Sequence, residues 1–189
     1  LSVLFEKLLS IDKTNFKFKI LRGEKEMEVI IEKSVVELSS VSSKIIEKKY
    51  KKIGYIYIGV FAYNTYDQFR TCLDSLEKQN IDSLIIDVRG NSGGHLISVD
   101  SILDLFLSYN QKMYGFEQSG VISYTYATGN SNKKYDIVVL GDELSASASE
   151  VLIAGLRDNL GIKFFGKQTY GKGTVQEMVT LSDGSKYKL

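Results

Sequence analysis

The sequence has 189 residues, 43% of them hydrophobic and 25% charged, as in an ordinary globular protein. That apolar content with a net charge of only +1 excludes a disordered chain and a nucleic-acid binder that works by bulk charge. The longest apolar runs, such as Val151 to Leu156, fall far short of the ~20 residues of a membrane-spanning helix.

Leu1 to Ser10 reads as a short helix with Val3, Leu4, Leu8 and Leu9 inward. Phe16, Phe18 and Ile20 alternate with lysines, and after the turn Arg22-Gly23-Glu24 a second strand runs from Met27 to Ile31. Two strands cannot bury a core of their own; the segment reads as the end of a domain whose beginning is missing. From about Val41 the pattern changes. A strand from Val41 to Ile46, a charged turn from Glu47 to Lys52 and a strand from Ile53 to Phe61 precede a helix from Thr65 to Gln79. Leu84 to Val88 is a continuous apolar strand, of the kind buried on both faces of a parallel sheet. A helix from Leu96 to Ser108, strands at Val121 to Ala127 and Ile137 to Leu140, a helix from Ser149 to Asn159 and a strand from Lys163 to Gly166 follow. This alternation predicts an α/β layered domain.

Cys72 is the one cysteine, so neither an intramolecular disulfide nor a cysteine-based zinc site staples the fold. With Phe69, Leu73 and Leu76 it makes a helical stripe that assigns it to the core. His95, the one histidine, and scattered acids form no metal-ligand cluster, and no metal or cofactor is expected. The chain shows no signal peptide at Leu1 and no initiator Met, and reads as a processed or excised fragment.

Three segments carry possible chemistry. Asp87-Val88-Arg89-Gly90-Asn91-Ser92-Gly93-Gly94 follows the buried strand, and its glycines allow a sharp turn whose N–H groups can face an anion or oxyanion. A tight strand-to-helix turn with no ligand reads equally from the glycines alone. Ser145-Ala146-Ser147-Ala148-Ser149-Glu150 opens a helix, and Ser147 to Glu150 fits an S-x-x-E capping box. Without a base, such a serine is only a cap. Gly166 to Thr174 comes within one residue of the phosphate-binding G-x-x-x-x-G-K-[ST] loop. Gly173 replaces the needed hydroxyl, however, and Thr174 to Leu181 alternates as a strand where a phosphate loop must open a helix.

In this order and spacing, the three segments resemble the C-terminal processing peptidases, or tail-specific proteases, of serine peptidase family S41. The family usually has Pro where Ser92 stands, and Lys172 follows Ser147 by the family's 25 residues. The resemblance covers about residues 41 to 189, with C-terminal strands that look cut at Leu189, and likens residues 1 to 40 to a partial PDZ-like segment and linker. It implies a crotonase/ClpP-like α/β core. It implies a serine endopeptidase that cleaves proteins or peptides near their C-termini through an acyl-enzyme. By the same resemblance Ser147 is the nucleophile, Lys172 the general base and Gln176 the residue that orients the lysine. The N–H groups of Gly93 and Ala148 match the oxyanion hole, while Asp158 supports, and Asp87 and Arg89 anchor the glycine turn by charge-assisted hydrogen bonds. The partners implied are substrate tails, with no nucleic acid and with homo-oligomers left open; the location implied is outside the cytoplasm, in the cell envelope, periplasm or medium.

The chemistry is coherent on its own terms. A serine hydroxyl needs a neighbouring base to attack an amide. A free lysine, pKa about 10.4, is protonated at neutral pH, and burial away from opposite charge is what frees its amine. Ser147 at a helix N-terminus gains partial positive charge for a tetrahedral intermediate, with Ser149 left to cap. His95 belongs at the rim of the site or on the surface, since the lysine already supplies a base. Two other readings use the same fold: a non-catalytic ligand- or peptide-binding module, which needs no dyad, and a crotonase-like acyl-CoA enzyme, which needs no Ser-Lys pair.

Overall fold

The computed structural model describes residues 15–32, 39–131, 133–176 and 178–188. The expected helix at Leu1 to Ser10 lies outside them. The chain divides into two compact units at the 37/38 boundary.

In the first unit, β1 (Asn15–Arg22) and β2 (Lys25–Glu32) form an antiparallel hairpin, with Arg22 opposite Lys25 across Gly23. Phe16, Phe18 and Ile20 line one face and the lysines between them the other, as the alternation requires.

The second unit is a mixed α/β fold built on a five-stranded sheet. Its strands are β3 (Val41–Lys48), β4 (Lys51–Ile58), β5 (Ser83–Asp87), β8 (Asp136–Gly141) and β9 (Lys163–Gly166), in the order β3-β4-β5-β8-β9. Only β3 is antiparallel. Helices α1 (Thr65–Glu77), α2 (Leu96–Asp104) and α3 (Ala148–Leu160) lie in the three crossovers. Each crossover advances one place along the sheet in the same direction, so right-handed connection puts all three helices on one face. Between α2 and β8 a hairpin of β6 (Lys112–Gln118) and β7 (Val121–Tyr126) stands apart from the sheet, and β10 (Met178–Thr180) pairs with β11 (Lys186–Lys188) near the end.

Every second residue of the central strands points at the helices. Ile56, Ile58, Leu84, Ile86 and Val139 are completely buried there against Phe69 and Leu73 of α1, Val99 and Ile102 of α2, and Leu152 and Leu156 of α3. At about 1.5–3 kcal/mol per fully buried large side chain, this layer is the main support of the fold. Cys72 packs against its edge. The opposite face differs from expectation: Ile85, Val138 and Leu140 are only half-buried. Helices line one face, so an unbroken apolar run is not buried on both sides.

Two further expectations change. The helix after the glycine turn stops at Asp104, beyond which the chain continues in tighter turns to Leu107, and the Asp104 carboxylate accepts the N–H groups of Thr128 and Gly129 and the Thr128 hydroxyl. The strand expected from Thr174 begins only at Met178, leaving 167–176 as a loop.

Candidate active site

Parallel strands deliver their connections to one end of the sheet, and all three motifs lie in connections at the C-terminal ends of β5, β8 and β9. The glycine turn after β5 and the serine turn after β8 are sewn together by four hydrogen bonds. Gly90 N–H donates to Asp142 Oδ1 at 2.9 Å, and the Ser145 hydroxyl to the Val88 carbonyl at 2.8 Å. Ala146 N–H and the Ser149 hydroxyl both donate to the Asn91 carbonyl, at 3.1 and 2.9 Å.

Asn91 itself is fully buried. Its side-chain amide donates to the Ile58 carbonyl at 3.0 Å, and its Oδ1 accepts Gly93 N–H at 2.8 Å. It therefore fixes the turn to β4, to the helix start and to itself. A Cβ on Gly93 (φ 102°) would come 2.7 Å from the Ala146 carbonyl and 2.9 Å from Ser147 Cβ; one on Gly94 (φ 135°) would meet the Phe61 carbonyl at 2.1 Å. Only glycine lets the turn lie this close to Ser147.

Ser147 is the N-cap of α3, half-buried, with φ 55° and ψ −118°. A non-glycine residue at positive φ is strained by about 1–3 kcal/mol, and hydrogen bonds on both sides hold it there. Ser147 N–H donates to Glu150 Oε2 at 2.8 Å, one arm of the expected capping box. The expectation that Ser149 caps is corrected: Ser149 lies inside the first turn, buried, with its hydroxyl committed to Asn91. Ala148 N–H, in that same turn, donates to no acceptor among the described residues. Gly93 N–H lies beside it but is engaged by Asn91.

The third segment reaches the same place. Tyr170 N–H donates to the Ser145 carbonyl at 3.0 Å, Gly171 N–H to Glu150 Oε1 at 2.7 Å, and Lys172 N–H to Glu150 Oε2 at 2.9 Å. Burial pushes the Glu150 carboxyl up. Hydrogen bonds from Thr169, Gly171, Ser147 and Lys172 outweigh that and hold it below its ordinary value. Lys172 is half-buried, and no carboxylate pairs with its amine among the described residues. Gln176 is exposed at the far end of the loop.

Asp87 anchors the other side. Its carboxylate, 1% exposed, accepts the Arg89 guanidinium at 2.6 and 2.9 Å, Arg89 N–H at 3.0 Å and the Tyr55 hydroxyl at 2.6 Å. Burial pushes this carboxyl up too, and the Arg89 and Tyr55 hydrogen bonds bring it below the usual range. Asp158 is not part of the assembly: it is exposed and pairs with Arg157 at 2.9 Å. Eleven helical residues carry it roughly 16 Å from Ser147 along the axis of α3. His95 sits at the rim, its Nδ1 2.9 Å from the Ser98 hydroxyl and its ring 4.1 Å from that of Tyr63.

Asn91, Tyr55 and the second role of Glu150 are absent from the sequence reading. The one available signal was Glu150 itself, which the capping box already places at the third position of the helix.

Residues 52–189 match the family described as Peptidase family S41. The chain is 37% identical over 169 residues to the carboxy-terminal processing protease CtpB of Bacillus subtilis (strain 168), covering 88% of this chain and 35% of that protein. It is 32% identical over 165 residues to the chloroplastic carboxyl-terminal-processing peptidase 3 of Arabidopsis thaliana, covering 84% of this chain and 32% of that one. The solved structure of a photosystem II D1 C-terminal processing protease superposes with a TM-score of 0.71 at 26% identity, over 87% of this chain and 45% of that one. The chain thus spans about a third of the length of these curated relatives.

Proposed function

The chain belongs to peptidase family S41, and we propose that it forms the catalytic core of a serine endopeptidase that cleaves proteins near their C-termini. The observation that carries this reading is the meeting of Ser147, the glycine turn and the Lys172 loop around Glu150.

In the proposed mechanism, Lys172 in its neutral form takes the proton of the Ser147 hydroxyl. The Ser147 oxygen attacks the scissile carbonyl, and the tetrahedral oxyanion is held by Ala148 N–H at the positive end of α3. Gly93 N–H joins it on release from Asn91. The protonated Lys172 then gives its proton to the leaving amine, the C–N bond breaks, and an acyl-enzyme remains for water to hydrolyse. Gln176, four residues beyond Lys172, is the neutral amide that would orient the Lys172 amine without favouring its charged form. Asp87 and Arg89 keep the turn in shape.

The layering of helices on one face of a mostly parallel sheet supports a crotonase/ClpP-like core over residues 41–189. The separate β1–β2 hairpin supports a PDZ-derived remnant with linker over residues 1–40. The relatives' names support substrates recognised by their C-terminal tails and a location outside the cytoplasm, and among the described residues no helix is long and apolar enough to cross a membrane. The test is cleavage of peptides with defined C-terminal tails by the full-length protein and its Ser147→Ala variant, read by mass spectrometry. Cleavage by the native protein alone is expected; equal cleavage by the variant would remove Ser147 from the mechanism.

A further inference from the structure

The charged turn at Glu47 to Lys52 has no part in the candidate site. It forms the tip of the β3–β4 hairpin, where Lys48 pairs with Lys51 and every residue from 47 to 52 is exposed. Lys49 turns the chain with a φ of 56°, and Tyr50 stands wholly in solvent. Because β4 runs parallel to β5, with Ile53 opposite Ser83, the tip lies at the N-terminal end of the parallel strands. Two other connections bring lysines to that end: Lys78 caps the last turn of α1, and Lys134 precedes β8, whose Asp136 is also opposite Ser83.

The acids at this end do not cancel the lysines. Glu77 is paired with Lys133 at 2.6 Å, and Asp82 Oδ2 accepts the backbone N–H of Lys52. Glu47, Asp82 and Asp136 remain, since a backbone N–H leaves the Asp82 charge in place. Among the described residues, none of Lys48, Lys49, Lys51, Lys78 or Lys134 has a carboxylate partner. In a chain of net charge +1, five such lysines against these three carboxylates are a local excess of positive charge that the total conceals.

The chemistry of the patch selects its partner. Its cations are all lysines, with no arginine fork for bidentate contacts to bases or phosphates. Lysines act as point charges towards a surface of phosphate headgroups, and a lone tyrosine has the apolar ring and polar end that suit a membrane interface. We propose that this end of the domain docks on a bilayer surface bearing anionic lipids. Ser147 lies beyond the opposite ends of the strands, so a docked domain turns the candidate site away from the bilayer. Docking requires no catalysis and stands apart from the peptidase reading.

The full chain is mixed with phosphatidylcholine vesicles, with or without about a third phosphatidylglycerol, and sedimented. Binding to the anionic vesicles alone is expected, weakening as salt rises from about 50 to about 500 mM. Each lysine near an anionic surface contributes about fivefold, so Lys48→Gln, Lys49→Gln and Lys51→Gln together should weaken binding by roughly 100-fold. Tyr50→Ala should cost less, and circular dichroism should show every variant folded. Equal binding to neutral vesicles, or a triple variant that binds like the native chain, overturns the proposal. So does binding of a DNA duplex through the same lysines without binding of vesicles.

Discussion

Ser147 and Lys172 are tied through a single oxygen atom: Glu150 Oε2 accepts the backbone N–H of both, at 2.8 and 2.9 Å. The two chain segments that the proposed mechanism needs are thus registered by one carboxylate, whose other oxygen holds Gly171. Glu150→Gln keeps the shape but removes the charge that strengthens these bonds. Stability should fall by about 1–3 kcal/mol and hydrolysis by about tenfold or more, measured by thermal unfolding and peptide turnover. The Glu150 carboxyl is held below its ordinary value, so its contribution is complete above the ordinary glutamate range and is lost only as pH falls through the lowered value.

Ser147→Ala should abolish hydrolysis with little change in stability, because the backbone strain at φ 55° remains. Ser147→Gly should be equally inactive yet more stable than Ser147→Ala by about 1 kcal/mol, since glycine adopts this φ freely and is also the better cap. Thermal melts of the two dead variants compare them directly. A glycine variant no more stable than the alanine one would mean that the turn is not strained.

Lys172→Arg should be nearly as damaging as Lys172→Ala. A guanidinium keeps the positive charge but cannot give up a proton to act as base. Substantial rescue of peptide hydrolysis by arginine would mean that Lys172 shapes the loop or supplies charge only.

The Asp87 carboxyl lies below the usual carboxylate range, so its stabilisation is present at neutral pH and lost as acid protonates it. Arg89→Ala and Tyr55→Phe each remove a partner and let that pKa rise. In both variants the acid-unfolding midpoint, followed by circular dichroism, should therefore move to higher pH. The Arg89 side chain is 53% exposed, which keeps the loss at neutral pH near about 1–2 kcal/mol. An unshifted midpoint in both would contradict the anchoring role.

Asn91→Ala should cost about 2–3 kcal/mol by leaving the Ile58 carbonyl and Gly93 N–H without their buried partner. Its activity should fall further than its stability, because the turn it shapes packs on Ser147.

Where a periodic pattern was closed within its own segment, it was legible. α1 follows from the Phe69-Leu73-Leu76 stripe, and β5 and β8 from short continuous apolar runs, although only every second apolar residue of those runs is buried. β6 was hidden because Gly115 interrupts its alternation, at a position where the Tyr124 ring of β7 passes 2.9 Å from where a Cβ would be. The Asp104 carboxylate at the early end of α2 is held by Thr128, 24 residues away. The three segments that meet at the candidate site were legible as motifs, whereas their assembly was not. Asn91 and Glu150 act through partners up to 58 and 22 residues distant, a separation that no local pattern encodes.

The order of strands across the sheet also sets what the candidate site depends on. The loop amides that clasp Glu150 arrive only after β9, which pairs with β8, which pairs with β5. The first turn of helix α3 is therefore completed from outside. A chain in which β9 is unpaired would hold Ser147 without its neighbouring loop, and the groups of the proposed mechanism would stand apart. The candidate site is only as complete as the sheet that carries it.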